Sequence, residues 1–283
     1  MVTSVPPKQK ILSSLIPGER STYVFNTEEE YYNEYKSSIF AKTIQKGGWD
    51  CLRHYEIILN GCIPYFPNIE KCPVNTMALF PKDLTYEANA LYDKIKDKDI
   101  NNLTEDEKNS CNALSNKFLE YMRKHLTTAK MAQYILEKSN RSNASKVLFL
   151  SKNLEPDYLR CLSLIGFKQI LGDKCHDYPK ITHIYKSNDI DYKALYGKGI
   201  TYTNILEQSL HNDAFDSTIE DDIKNRKYDL IIYGSWHKGT PYYDLVTSVY
   251  KPDEIVLLCN EDIHECNFLD WLIRGHYTFV REL

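Results

Sequence analysis

The chain has 283 residues, 42% of them hydrophobic and 26% charged, with a formal net charge of −4. That length holds one large or two small domains with real cores, and the weakly acidic balance excludes a general attraction to nucleic acid or to an anionic membrane. No run approaches the roughly 20 apolar residues of a membrane span, and the polar N-terminus lacks a signal-peptide core, so a cytoplasmic location is expected.

Residues 1–20 contain three prolines and Gly18 and read as an irregular arm. Arg20–Phe25 (RSTYVF) has the β-branched and aromatic content of a short strand. Asn26-Thr27 then caps a helix with Glu28, Glu29 and Glu30 in its first turn and an apolar side made by Tyr31, Tyr32 and Tyr35. Ile39–Ile44 (IFAKTI) reads as a second strand. Gly47 and Gly48 open a further helix whose exposed side carries Asp50, Arg53, His54 and Glu56. That helix stops at Asn60-Gly61, and the strand Cys62–Phe66 follows. The β-α-β-α-β pattern predicts a parallel sheet with ligands at the carboxyl ends of its strands. Lys42 and Lys46 lie near that end, where they suit either phosphate or plain solvent.

Leu79–Asn140 reads as helical and charged, with a capped start at Leu103–Glu107. The polar stretch Glu137–Ser145 marks the expected domain boundary, dividing the chain into residues 1–140 and 141–283. A second α/β unit begins at the buried strand Lys146–Ser151 (KVLFLS), followed by a helix over Asp157–Phe167 with Pro156 in its first turn. Tyr228–Gly234 and Glu254–Cys259 are near-continuous apolar runs, as in strands covered on both faces of a parallel sheet. Tyr242–Tyr250 reads as a helix and Tyr277–Val280 as a last strand.

The chemistry concentrates in two places. In the first half, a helix N-terminus freed by glycine brings the amides near Gly48 and Trp49 close to a phosphate. Arg53 adds a bidentate contact, Glu56 one turn further on the same face can accept two ribose hydroxyls, and Asp50 or His54 can meet a sugar or phosphate. The bland alternative is an i,i+3 surface ion pair between Arg53 and Glu56. In the second half, loops after strands carry the candidates for a general base: Asp157 first, which also suits a helix cap, then His237, with His276 and Arg281 suggested by position alone. Asp189-Ile190-Asp191 is a D-x-D pair in a loop-like setting and reads as a solvated turn. Eight cysteines (51, 62, 72, 111, 161, 175, 259 and 266) form no CxxC pair, reading as free thiols without zinc-ligand spacing. Some of the 22 tyrosines would line a sugar site, and most would fill core or surface.

Gly48, Arg53 and Glu56 followed by Gly61-Cys62-Ile63-Pro64 resemble the donor-nucleotide motif of exostosin-like glycosyltransferases of the GT-B architecture. The match covers about a tenth of the chain. It implies two Rossmann-like parallel-sheet domains facing a cleft. A UDP-sugar would be held by the helix N-terminus and Arg53 at the diphosphate and by Glu56 at the ribose, with Asp157 as base of an inverting transfer to a glycan hydroxyl and no metal required. In that family the donor domain is normally the C-terminal half, so this chain looks circularly permuted. It is most similar to small xylosyltransferase-type members encoded by large algal viruses, which implies UDP-xylose as donor, a capsid-protein glycan as acceptor and the host cytoplasm as location. Two rival readings remain at this level. A Rossmann-type methyltransferase or an NAD enzyme suits the strands but lacks a glycine-rich turn after KVLFLS. A non-catalytic nucleotide-binding scaffold is not distinguished by sequence.

Overall fold

A computed structural model describes residues 1–262 and 267–282, so Cys266 and Leu283 lie outside the described residues. The chain divides into two compact units, Met1–Leu126 and Thr127–Leu283. Both are α/β with parallel sheets. The break falls ahead of the polar Glu137–Ser145 stretch.

The first unit holds a three-stranded sheet ordered β1 (Lys10–Leu12), β2 (Ser38–Lys42) and β3 (Ile63–Tyr65), all parallel. The β-α-β-α-β order is the expected one, but its first strand is not. Arg20–Phe25 is no strand: Arg20–Thr22 is a 3-10 turn and Val24 is exposed. The strand lies instead inside the proline-containing arm, where three residues are too few for a period-2 signal. Between β1 and β2 runs α1 (Glu28–Lys36), capped by the Thr27 side chain on the Glu30 N–H. Between β2 and β3 runs α2 (Leu52–Leu59). Two longer helices complete the unit, α3 (Lys82–Ile95) and α4 (Glu105–His125), the latter starting with a Thr104–Glu107 capping box.

The second unit opens with α5 (Thr128–Lys138), which packs on α6 (Tyr158–Leu171). Gly166 permits that approach, since a Cβ there would sit 2.0 Å from the Thr128 carbonyl oxygen. Asp157 is the cap of α6, and Pro156 precedes that cap where the first helical turn was expected to hold it. The five parallel strands are β4 (Val147–Leu150), β5 (Cys175–Tyr178), β6 (Leu230–Tyr233), β7 (Ile255–Cys259) and β8 (Tyr277–Val280). β4, β6 and β7 are buried along their whole length, as their apolar runs require. β5, with the sequence Cys-His-Asp-Tyr, carries no such signal and is found only in the structure. Counted within the unit, the sheet order β5-β4-β6-β7-β8 is 2-1-3-4-5, a doubly wound arrangement whose winding reverses between β4 and β6. Tyr243–Val249 forms α8, following the short α7 (Ile219–Lys224), and Leu269–Ile273 forms α9. No described helix is long and apolar enough to cross a membrane.

Candidate functional site

In the first unit the expected helix opening moves. Gly47 and Gly48 lie in a turn closed by the Lys46 N–H on the Gly48 carbonyl, and α2 starts only at Leu52, after Cys51 in extended backbone. Arg53 is therefore the second residue of the helix. The face expected to be exposed is largely buried, and burial assigns different work to each residue. His54 is fully buried. Its Nε2 lies 2.8 Å from the Trp49 carbonyl, which only accepts, so Nε2 carries the proton and Nδ1 accepts the Thr43 hydroxyl at 2.8 Å. Burial pushes its pKa down to about 3. His54 thus ties the loop before α2 to the end of β2, and it is not available to a sugar or phosphate. Trp49 is itself buried against Phe66, and Asp50 accepts the Tyr55 hydroxyl at 2.8 Å.

Glu56 is 6% exposed and accepts the Tyr31 hydroxyl at 2.7 Å, while Tyr31 and Tyr35 share a hydrogen bond of 3.0 Å. The i,i+4 tyrosines of α1, expected as its apolar side, bring a hydroxyl pair to a carboxylate. Burial and then the charge of Glu56 hold the Tyr31 hydroxyl far above the ordinary phenol range. Arg53 lies in the same enclosure. Its Nε and Nη1 are buried without a well-aligned hydrogen bond, and the Tyr23 hydroxyl faces it: burial raises the Tyr23 pKa, and the charge and hydrogen bonding of Arg53 lower it. Leaving N–H groups of a charged side chain buried and unbonded costs more than the about 1–3 kcal/mol of a neutral group. The arrangement suits an oxyanion that would accept from them. A cavity of about 310 Å³ in this unit, lined among others by Lys8, Ile39, Ile63 and Ser115, contains none of these α2 residues.

In the second unit Asp157 and His237 come together where the winding reverses. Asp157 follows β4 and Ser235–His237 follow β6, so both loops leave the carboxyl ends of the strands flanking the switch point. Asp157 uses both oxygens. Oδ1 accepts the Arg160 N–H at 3.0 Å as the cap of α6, and Oδ2 accepts the Ser235 hydroxyl at 2.6 Å. The capping role and the site role therefore coexist in one carboxylate. The fully buried Arg160 braces the loop from below, donating to the carbonyls of Asn153 and Glu155. Gly234 lets the chain turn from β6 into Ser235, because a Cβ there would lie 2.2 Å from the Phe149 ring.

His237 directs Nε2 at two carboxylates, 3.2 Å from Glu261 Oε1 and 3.8 Å from Asp157 Oδ2, and its Nδ1 is buried without a partner. Ser151 Oγ after β4, Trp236 Nε1 after β6 and Asn260 Oδ1 after β7 are also buried and unpartnered. These polar atoms collect at the carboxyl edge of one sheet, which is where such folds bind ligands. Glu261 is the member that sequence reasoning missed, while Ser235 lies in the loop after Tyr228–Gly234 where the chemistry was sought. Both lie one or two residues beyond an apolar strand run, which is the one signal that points to them. His276 is packed away, its ring nitrogens 2.8 Å from the Tyr243 hydroxyl and 3.0 Å from the Pro252 carbonyl. Arg281 donates to Tyr158 and to Asp262. Asp189 and Asp191 are exposed and lie outside any helix or strand, with Asp191 accepting the Lys193 N–H. The seven described cysteines form no disulfide with one another, and burial pushes the thiols of Cys62, Cys161 and Cys175 up to about 12, which makes them poor nucleophiles. No family model, curated protein or solved structure matches the chain.

Proposed function

We propose that the chain is a glycosyltransferase that takes a sugar from a UDP-sugar, with xylose the leading candidate, and delivers it to a hydroxyl of a glycan. The observation that carries this reading is the Arg53 guanidinium, buried at the start of α2 with Nε and Nη1 lacking a well-aligned hydrogen bond, within a string that resembles an exostosin-like donor motif. Arg53 neutralises the leaving diphosphate, a role in which positive charge is worth most when water is excluded. Glu56, held by the Tyr31 hydroxyl, is the ribose-recognition carboxylate, and the two-domain GT-B architecture in permuted order belongs to the same reading.

The second unit supplies the base. Both oxygens of Asp157 are engaged, while His237 has an unpartnered Nδ1 and presents Nε2 to Glu261 and Asp157. An imidazole whose far nitrogen faces carboxylates can take a proton and have the resulting charge stabilised. His237 is therefore the candidate to accept, at Nδ1, the proton that an attacking glycan hydroxyl gives up. Asp157 and Glu261 orient and stabilise the imidazole. This reverses the order of candidates given by sequence, where Asp157 stood first. The test is product formation from UDP-xylose and a glycan acceptor, followed chromatographically for the intact chain and for His237→Gln. Loss of transfer with UDP binding retained is expected; undiminished transfer by His237→Gln contradicts the assignment.

A further inference from the structure

A second group of chemistry-bearing residues lies at the outer strand of the second unit, apart from Asp157 and His237. His211, Asp213 and Asp216 place ligand atoms within 4.8 Å of one another. His211 Nε2 is 3.4 Å from Asp213 Oδ1 and 3.4 Å from Asp216 Oδ1, and His176 Nε2, from β5, is 3.2 Å from the same Asp216 oxygen. Ligands about 2.0–2.1 Å from a tetrahedral zinc ion stand about 3.3 Å apart along each edge, which the separations from His211 to Asp213 and Asp216 match, and His176 adjoins this group through Asp216. Asp213 and Asp216 share one side because they are three apart in the 3-10 helix Asp213–Thr218, where i and i+3 eclipse.

Acidic groups near one another are common, and the histidines are what distinguish this cluster. His176 is 2% and His211 6% exposed, and both direct a buried, unpartnered Nε2 at it, as does Asp216 its buried Oδ1. The tautomer of His211 follows from its other nitrogen, which lies 2.8 Å from Asp177 Oδ1. The same Asp177 oxygen lies 2.9 Å from the Lys168 ammonium. A carboxylate paired with an ammonium accepts, so His211 donates from Nδ1, and its Nε2 is the nitrogen turned to Asp213 and Asp216. Three carboxylates (Asp177, Asp213 and Asp216) face two ammoniums, Lys168 beside Asp177 and Lys180 at 3.4 Å from Asp213 Oδ1, which leaves one negative charge for a cation. Asp177 also accepts the Tyr185 hydroxyl at 2.7 Å, so the carboxylate behind His211 is itself fixed, as the outer partners of metal-bound histidines are.

We propose that His176, His211, Asp213 and Asp216 bind a divalent transition-metal ion of the zinc class. Two imidazoles with two carboxylates select such an ion over magnesium or calcium, whose sites are built from oxygen. The site joins β5 to the segment that leads into α7, and its role is to pin that segment to the sheet edge.

The experiment is titration of the full chain, stripped with a chelator, with Zn²⁺ or Mg²⁺ by calorimetry, with the thermal midpoint measured in parallel. One Zn²⁺ per chain is expected, with a midpoint that rises with free Zn²⁺ and no response to Mg²⁺. Co²⁺ in place of Zn²⁺ should give the visible absorption of a four-coordinate site. Asp213→Asn, whose side chain is 80% exposed and so safe for folding, should weaken Zn²⁺ at least tenfold, and His211→Ala should abolish binding. If the lone pair of His211 is instead met by a proton, the chain will take up no zinc, and that result overturns the proposal. Binding left unchanged by both Asp213→Asn and His211→Ala overturns it as well.

Discussion

The Tyr31 hydroxyl donates to the Glu56 carboxylate at 2.7 Å, joining α1 to α2 through a buried hydrogen bond to a charged group. A hydrogen bond of this kind contributes about 1.5–3 kcal/mol. Tyr31→Phe removes one donor from Glu56 while keeping the ring contacts with Phe25 and Tyr35. A loss of about 1.5–3 kcal/mol of unfolding free energy is expected by urea titration, with the fold retained. No measurable loss would mean that the bond contributes nothing net.

His54 makes acid stability a reporter of the first unit. Its folded pKa of about 3 lies below the ordinary histidine value because burial, and then the Arg53 charge, oppose protonation. Above about pH 6.5 both folded and unfolded states are neutral there. Between about 6.5 and 3 only the unfolded state takes up the proton, so stability falls as pH falls, by up to about 1.4 kcal/mol per unit. His183, with its pKa lowered to about 4 by burial and then Arg160, acts with the same sign in the second unit. The His54→Asn variant should show a shallower loss of unfolding free energy between pH 6.5 and 4 than the parent chain; identical slopes would contradict the burial argument.

Gly234 tests how the switch-point loop is placed. A methyl group there meets Phe149 at 2.2 Å, and overpacking of this kind costs about 1–3 kcal/mol. Gly234→Ala should lower stability by that amount, and Phe149→Leu in the same chain should recover part of it. A fully tolerated alanine would show that the loop shifts freely.

Asp157 can be separated into its two roles by two substitutions. Asparagine is as good a helix cap as aspartate, whereas alanine costs about 0.5–2 kcal/mol. Asp157→Asn should therefore leave the thermal midpoint nearly unchanged yet lower kcat, by up to about 10²–10⁴-fold if it removes all the benefit of the base that Asp157 positions. Asp157→Ala should lower both. If Asp157→Asn retains full turnover, Asp157 is a cap and nothing more.

What the sequence revealed depended on how each residue signals itself. The apolar runs of β4, β6 and β7 were legible because strands buried on both faces have no other way to be written. β1 and β5 were not, being a three-residue strand and an outer strand with His176 and Asp177 in it. Asp157, His237 and the neighbouring Ser235 were found by reading strand ends, and Glu261, at the same edge, was passed over because a single residue carries no period. The α2 face was misread for a different reason. Arg53, His54 and Glu56 look like a polar stripe, and the partners that bury His54 and Glu56 (Thr43, the Trp49 carbonyl and Tyr31) come from other segments of the chain.

The central claim is that Arg53 binds a nucleoside diphosphate, and its most direct measurement is the thermal midpoint of the chain against rising UDP, for the parent and for Arg53→Ala. A ligand that binds only the folded chain raises the midpoint in proportion to the logarithm of its concentration. The parent should show that rise, and Arg53→Ala should need roughly 10–100-fold more UDP for the same shift, the equivalent of losing a charged hydrogen bond worth about 1.5–3 kcal/mol. An identical UDP response in both chains, or none in the parent, would contradict the account.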